Sequence, residues 1–167
     1  MSSDSGTPTS TSLTRAEAEH RASLLSVTSY DVALDLAADE DTFESRTTVR
    51  FRSERGATFV DVKPRTLHAV TLDGARLDPA TLDRGRVPLE LSAGEHELVV
   101  EATMAFRNDG EGLHRSVDPA DGLAYVYGMS FMDAAPSIFA CFDQPDLKAP
   151  YTMHVTAPAS WLVVGNA

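Results

Sequence analysis

The chain has 167 residues, 43% of them hydrophobic and 23% charged, which is the balance of one ordinary globular domain. Its net charge of −11 repels phosphate backbones and argues against a nucleic-acid partner. No apolar run reaches the roughly 18 residues of a membrane span, and no secretory signal pattern opens the chain. A lone cysteine, Cys141, excludes an internal disulfide. We therefore expect a cytoplasmic protein with no membrane partner.

The first predicted elements are a polar tail and one short helix. Residues 1–12 are almost all Ser, Thr, Gly, Asp and Pro, a composition that predicts disorder ahead of a single domain at 13–167. Thr14 and Glu17 have the spacing of a capping box. They predict a helix from about Arg15 to Leu24.

After Ser29 the apolar residues recur every second position, which is typical of strands with one buried face. The first of these strands places Tyr30, Val32 and Leu34 on one side. Turn residues predict loops at 108–112 and an irregular stretch at 128–136. The remaining strands are predicted at about 43–52, 58–62, 67–72, 87–91, 96–106, 124–127, 151–157 and 161–164. About nine strands and one helix predict an all-β, sandwich-like domain.

The last predicted strand, 161–164, is followed directly by the end of the sequence. Trp161 alternates with Val163 and is predicted to lie in the core. Unpaired backbone groups on such a strand favour pairing with another chain. A homodimer through this C-terminal edge strand is therefore one expectation.

Three strings in a fixed order carry a family resemblance. The first is Leu-Thr-Arg-Ala-Glu-Ala at 13–18, leading into Tyr-Asp-Val at 30–32. The second is Gly-Glu-Gly-Leu-His-Arg at 110–115, and the third is Cys-Phe-Asp-Gln-Pro-Asp-Leu-Lys-Ala at 141–149. In this order the chain resembles the N-terminal β domain of aminopeptidase N, of the actinobacterial type, a zinc peptidase family. The resemblance implies a saddle-shaped β-sandwich that packs against a separate, thermolysin-like catalytic domain.

The residues that such a peptidase needs for zinc chemistry are absent from this sequence. A zinc peptidase requires two histidines one helical turn apart and a general-base glutamate, usually as His-Glu-x-x-His. That motif does not occur here, and neither does the family's Gly-x-Met-Glu-Asn strand. The five histidines are scattered at 20, 68, 96, 114 and 154. We expect no metal site, no cofactor and no peptidase activity from this chain alone.

One segment departs from the family pattern in a way that bears on ligand binding. In the family, the resemblance implies a loop of roughly Tyr-Thr-Gln-Phe-Glu whose Gln and Glu bind the substrate's amino terminus. Here Met129 stands in place of that Gln, and Phe131 in place of that Glu. Together with Tyr127 and Met132, these residues predict an apolar ligand surface. The alternative is that they pack into the core, or against a catalytic domain supplied elsewhere.

Three titratable side chains are candidates for chemistry near this surface. Asp133 lies within the divergent stretch and His114 has a pKa range suited to proton transfer, so both are candidate catalytic residues. Asp143 is a candidate ligand-binding residue, or a turn residue two positions before Pro145. His114 equally suits a loop hydrogen bond. Cys141 lies in an apolar string and is predicted to act as a small buried hydrophobe.

Two functional hypotheses follow from these patterns. In the first, the domain stands alone and binds an apolar small molecule, with a non-peptidase reaction such as a cyclisation or isomerisation as a possible extension. In the second, it is a truncated or isolated substrate-capping domain of a zinc aminopeptidase, has no activity of its own, and has a catalytic domain in trans as its partner.

Overall fold

The computed structural model describes residues 12–131 and 133–165, so all of the predicted tail except Ser12 lies outside the described residues. Helix α1 spans Arg15–Leu24, as predicted. Its capping box is formed: the Thr14 backbone N–H donates to the Glu17 carboxylate over 2.8 Å, and the Glu17 N–H donates to Thr14 Oγ1 over 3.3 Å.

Ten strands follow in the described residues, and most continue the period-two pattern of the sequence. They are β1 Leu25–Asp35, β2 Thr42–Ser53, β3 Gly56–Asp61, β4 Thr66–Leu72, β5 Ala75–Leu77, β6 Arg86–Leu91, β7 Gly94–Ala105, β8 Gly112–Val117, β9 Ala124–Met129 and β10 Tyr151–Thr156. Short 3₁₀ turns occur at Pro79–Thr81 and Ala135–Ser137. The predicted all-β fold with one short N-terminal helix is confirmed.

The strands form one large sheet and two strand pairs. The six-stranded sheet has the order β10-β1-β2-β7-β4-β5, and β3 pairs with β6 and β8 with β9. All pairings are antiparallel except that of β10 with β1, which is parallel. β10 therefore forms an edge of the large sheet.

One hydrophobic core joins side chains from α1, the large sheet, the β3–β6 pair and segment 134–142. Phe51 of β2 meets Phe142 edge to face, with ring centroids 5.2 Å apart. The fully buried side chains of this core include Val32, Phe43, Phe51, Val60, Val87, Leu89, Leu98 and Met104. Packing thus holds segment 134–142 on the large sheet. Phe131, which precedes this segment, lies at the surface.

The structure corrects the strand predictions at three places: 161–164 is not a strand, and β5 and β8 form although the sequence did not predict them. Residues 161–164 do not form a strand, Trp161 is only partly buried, and Leu162 and Val164 are 88% and 81% exposed. The Trp161 N–H instead bonds Pro158 O over 2.9 Å in a turn. An alternating pattern makes a strand only where a ladder partner is present. The edge strand predicted at 161–164 is therefore not formed, the edges of the large sheet are β10 and β5, and a homodimer stays a prediction.

Two strands form that the sequence did not predict: β5, a three-residue strand that pairs with β4, and β8. The residues of β8, Gly-Leu-His-Arg-Ser-Val, include only two large apolar side chains and show no period-two pattern. β8 forms because it pairs with β9 along its whole length, from Gly112 opposite Met129 to Val117 opposite Ala124. Pairing with a neighbour outweighs weak local preference here.

Candidate functional site

The divergent stretch forms an exposed surface at the end of β9, which we call the 127–133 surface: Tyr127, Met129, Phe131 and Asp133. Tyr127 is 51% exposed and Phe131 is 71% exposed, so neither side chain packs into the core. Met129 is partly buried, and its sulfur accepts the Phe131 backbone N–H over 3.3 Å. Met132, also predicted to contact a ligand, lies outside the described residues. The core-packing alternative is therefore wrong for Tyr127 and Phe131, and contact with a separate catalytic domain stays a prediction.

His114 is placed next to this surface by the pairing of β8 with β9. Its ring stacks on Tyr127, with centroids 4.8 Å apart and planes 28° apart. The Gly110 backbone N–H donates to His114 Nδ1 over 3.0 Å, so a neutral His114 carries its proton on Nε2. His114 Nδ1 thus stabilises the 108–112 loop, which is the loop hydrogen bond predicted as the alternative role of His114.

The loop that bonds His114 is itself stabilised by charge. Arg107 pairs with Asp109 and lies 3.4 Å from a carboxylate oxygen of Glu111. The hydrogen bond from Arg107 lowers the pKa of Asp109 to about 2. Because Asp109 remains ionised over the physiological range, the 108–112 loop keeps this pairing.

Asp133 lies where the exposed surface meets the buried segment. Its carboxylate accepts the Ser12 hydroxyl over 2.6 Å, and its backbone carbonyl accepts the Lys63 ammonium over 2.7 Å. Its φ is +66°, in the left-handed region that favours glycine. Both the carboxylate and the carbonyl of Asp133 are therefore engaged, and its catalytic role stays a prediction.

Asp143 is brought near Asp133 by the fold, although ten residues separate them. Burial raises the pKa of Asp143, and the charges of Asp61 and Asp133 add to this effect. Its backbone N–H donates to Asp61 Oδ2 over 3.2 Å. Its own carboxylate makes no hydrogen bond or ion pair among residues 12–131 and 133–165, which leaves it available to a ligand.

A buried ion pair between Arg21 and Asp61 holds the segment around Asp143. Arg21 of α1 is 1% exposed, and its Nη1 donates to Asp61 Oδ2 over 3.0 Å. The Arg21 guanidinium also lies over the Phe59 ring at 4.2 Å and faces Phe142 at 5.7 Å. Burial raises the pKa of Asp61, and Arg21 only partly offsets it. The pair joins the helix, β3 and the Phe-Asp-Gln-Pro string in one cluster.

The Phe-Asp-Gln-Pro string is explained by these structural contacts. The Phe142 N–H donates to the Tyr30 hydroxyl over 3.1 Å, and Gln144 Nε2 donates to the Ala18 carbonyl over 2.9 Å. Cys141 is buried, and burial raises the pKa of its thiol well above the ordinary value, so the thiol stays protonated. It is a small buried hydrophobe, as predicted.

Sequence reasoning missed Lys63, which contacts Asp133, and Arg21 and Asp61, which hold the buried segment after it. Lys63 is 70 positions from Asp133 and Asp61 is 82 positions from Asp143, and no motif links them. Among the described residues, no three His, Cys, Asp or Glu side chains are grouped so that they could hold a metal ion. No helix in the described ranges is long and apolar enough to cross a membrane.

Chemically, this arrangement offers flat and sulfur-containing apolar contacts beside two carboxylates. Aromatic rings and methionine contact apolar ligands well, while a half-buried carboxylate can accept or hold a proton. The fold is that of a β domain with an exposed loop at one side, the class found at the front of zinc aminopeptidases.

Comparison with known proteins agrees with this class. Over 163 residues, the chain is 45% identical to aminopeptidase N of Streptomyces lividans, covering 94% of this chain and 19% of that protein. Over 80 residues, it is 34% identical to a probable M1 family aminopeptidase 2 of Encephalitozoon cuniculi, covering 47% of this chain and 9% of that protein. No protein-family model matches the chain.

A solved structure shows the same fold. The crystal structure of Legionella pneumophila aminopeptidase A in complex with aspartic acid matches with a TM-score of 0.63 at 17% identity, over 78% of this chain and 16% of that chain. The chain is thus an N-terminal β domain of the aminopeptidase class. More particularly, it corresponds to the N-terminal domain of aminopeptidase N, as its sequence strings predicted, and it spans about a fifth of the length of that curated relative.

Proposed function

We propose that this aminopeptidase N-like domain binds an apolar small molecule at the 127–133 surface. The observation that carries the proposal is the exposure of Phe131: this large aromatic side chain is 71% exposed, three residues before the buried segment 134–138 begins. Burying such a ring against a ligand is favourable by about 25 cal/mol for each Å² of apolar area removed from water. Tyr127 and Met129 extend the same apolar surface.

A fluorescent apolar probe tests this proposal directly. N-phenyl-1-naphthylamine, which is uncharged and fluoresces in apolar surroundings, should bind the wild-type chain and should bind Phe131→Glu at least tenfold more weakly, because an ionised carboxylate resists desolvation. Leu162→Glu is the matched control, since it adds the same charge at an exposed apolar residue elsewhere. Equal affinity of all three proteins would contradict the proposal.

The catalytic extension of the proposal is a cyclisation or isomerisation of the bound molecule. Asp143 supports it, because its carboxylate is unpaired among the described residues and its raised pKa, caused first by burial, lets it hold a proton at higher pH. The candidates predicted from the sequence are already engaged by the protein: Asp133 through its carboxylate and its carbonyl, and His114 through Nδ1. Once a bound molecule is known, loss of turnover with unchanged binding in Asp143→Asn would support this role, and full turnover would exclude it.

A second candidate function is that of a substrate-capping domain for a zinc aminopeptidase catalytic domain, in the same protein or in trans. A specific observation favours it: six large apolar residues of β10 and the following segment are exposed, as expected of a surface that another domain covers. They are Tyr151, Met153, Val155, Leu162, Val163 and Val164.

The reading frame beyond Ala167 separates the two candidates. A downstream His-Glu-x-x-His favours the capping domain. A stop codon among genes for a small metabolite favours the stand-alone binder. The cytoplasmic location expected from the sequence stays a prediction.

A further inference from the structure

The end of β3 holds the segment behind the 127–133 surface through backbone hydrogen bonds. Asp61 and Cys141 exchange two of them, of 2.9 and 3.0 Å, and the Lys63 N–H donates to Pro136 O over 2.7 Å. Residues 61–63 therefore continue the pairing of β3 along the buried segment. The backbone on one side of the surface is fixed by these contacts.

The Lys63 side chain makes one further contact, at the residue where the buried segment becomes the exposed surface. Its Nζ donates to the carbonyl of Asp133 over 2.7 Å. A charged donor makes a stronger hydrogen bond than a neutral one. Two hydrogen bonds from one lysine thus reach the segment at Asp133 and at Pro136.

Asp133 needs such a contact because its backbone conformation is unfavourable. Only three non-glycine residues among those described have a left-handed φ: Asp73, Arg84 and Asp133. The first two precede Gly74 and Gly85, which also have positive φ, and so lie in tight turns of the hairpin type. Asp133 is followed by Ala134 in ordinary right-handed backbone, so no such turn accounts for its conformation.

The left-handed residue also sets the direction of the chain. After it, Ala134 and Ala135 are buried, whereas two positions before it Phe131 is exposed. Asp133 thus stands at the change from exposed to buried chain, and a contact that holds its carbonyl acts at that point.

We propose that Lys63 is a positioning residue of the 127–133 surface, which fixes Asp133 in the left-handed conformation through its carbonyl and so holds Phe131 where a ligand can contact it. This inference rests on the proposed function. It names a residue that contacts the loop backbone and acts on the ligand only through Phe131.

Two substitutions of Lys63 test the inference. Lys63→Met keeps an unbranched side chain but removes the donor, and should weaken binding of N-phenyl-1-naphthylamine roughly three- to tenfold, the range for one lost hydrogen bond. Lys63→Arg keeps a charged donor and should retain wild-type affinity. Adding Asp133→Gly to Lys63→Met should not restore affinity, because glycine removes the strain without selecting one conformation. Wild-type affinity in Lys63→Met would overturn the inference.

Hydrogen exchange gives a readout that does not depend on the probe. The Ser137 N–H donates to the Ala134 carbonyl over 3.0 Å, directly after the left-handed residue. Its exchange should be several-fold faster in Lys63→Met and unchanged in Lys63→Arg, with β2 amides unaffected in both.

The two readouts separate the possible failures. If the wild type does not bind the probe while Ser137 exchange responds, the proposed function fails and the role of Lys63 in the loop stands. If the probe distinguishes Phe131→Glu but not Lys63→Met, the proposed function stands and the role of Lys63 fails.

Discussion

Two neighbouring stretches of the chain, 124–131 and 134–144, differ in almost every physical respect. The first, β9 with Phe131, exposes Tyr125, Tyr127 and Phe131. The second is buried for most of its length and is bonded to the helix, to β1 and to β3. A domain that needed Phe131 for stability would bury it as it buries Phe142. The contrast indicates that the second stretch stabilises the fold and that the first is available for contacts with other molecules.

The largest effect should come from the buried ion pair of Arg21 and Asp61, which contacts the second stretch through Asp143 and Phe142. Arg21→Leu leaves Asp61 without its main partner at a site where the Arg21 side chain is 1% and the Asp61 side chain 13% exposed. Loss of one partner from a buried pair costs about 3–5 kcal/mol of unfolding free energy. Urea denaturation of the wild type and of Arg21→Leu measures this loss of unfolding free energy. Arg15→Leu on the exposed side of the same helix should change stability by less than about 0.5 kcal/mol.

A pair of phenylalanine substitutions tests the comparison directly. Phe142→Ala should cost about 3–5 kcal/mol, because it leaves a cavity against Phe51 in the core. Phe131→Ala should cost less than about 0.5 kcal/mol, because the ring is largely in water. Thermal and urea denaturation of both variants measure the change in unfolding free energy. A large loss in Phe131→Ala would mean that the exposed stretch is structural after all.

A smaller effect is expected where the two stretches meet. Gly112, opposite Met129, has a φ of +63°, and an added Cβ would overlap the Ser137 hydroxyl. Gly112→Ala should therefore lower stability by about 1–3 kcal/mol. Gly74→Ala is the control, since its φ is +79° but nothing lies within 4 Å of the added Cβ. Equal losses would show that strain alone, and not contact with Ser137, keeps glycine at 112.

The smallest effect concerns the charge of Asp143. Burial above all raises the pKa of Asp143 in the folded chain. Protonation of Asp143 therefore stabilises the fold fully below the ordinary pKa of 3.8, and this stabilisation is lost as the pH rises through the folded pKa. Asp143→Asn should therefore be more stable than the wild type at pH 7, with the difference vanishing as the pH approaches 3.8. Stability measured against pH tests this, with Asp146→Asn as an exposed control. A loss of stability at pH 7 would reveal an attractive partner of the carboxylate.

Local signals in the sequence were enough to predict the helix and most strands. The capping box of Thr14 and Glu17 and the alternation around Val32 act within a few residues, and both formed as expected. β8 was missed because its formation depends on β9, and 161–164 was wrongly predicted because no described strand pairs with it. Both errors concern a pairing partner, which the pattern of a single segment does not reveal, and the three-residue β5, which pairs with β4, was missed in the same way.

The site was predictable only in part, for the same reason. Resemblance to the family drew attention to Met129 and Phe131, since they replace polar residues of a known loop. Lys63 reaches Asp133 from 70 positions away, while Asp61 and Arg21 contact the buried segment that follows the loop, and no spacing rule connects the three residues to the loop. The exposure of the Phe131 side chain decides whether it packs in the core or is free to contact a ligand. This exposure depends on the whole fold and could not be predicted from the local sequence.

The last strand has a consequence of its own. All six side chains of β10 are exposed, so the strand is retained by its parallel ladder to β1 with almost no help from packing. Such a ladder should fray and re-form without opening the rest of the sheet. Its amides should therefore exchange rapidly in the free domain and slow down when another surface covers Tyr151, Met153 and Val155. Slower exchange of the β10 amides would show that another molecule or domain covers this edge, even when that partner gives no signal of its own.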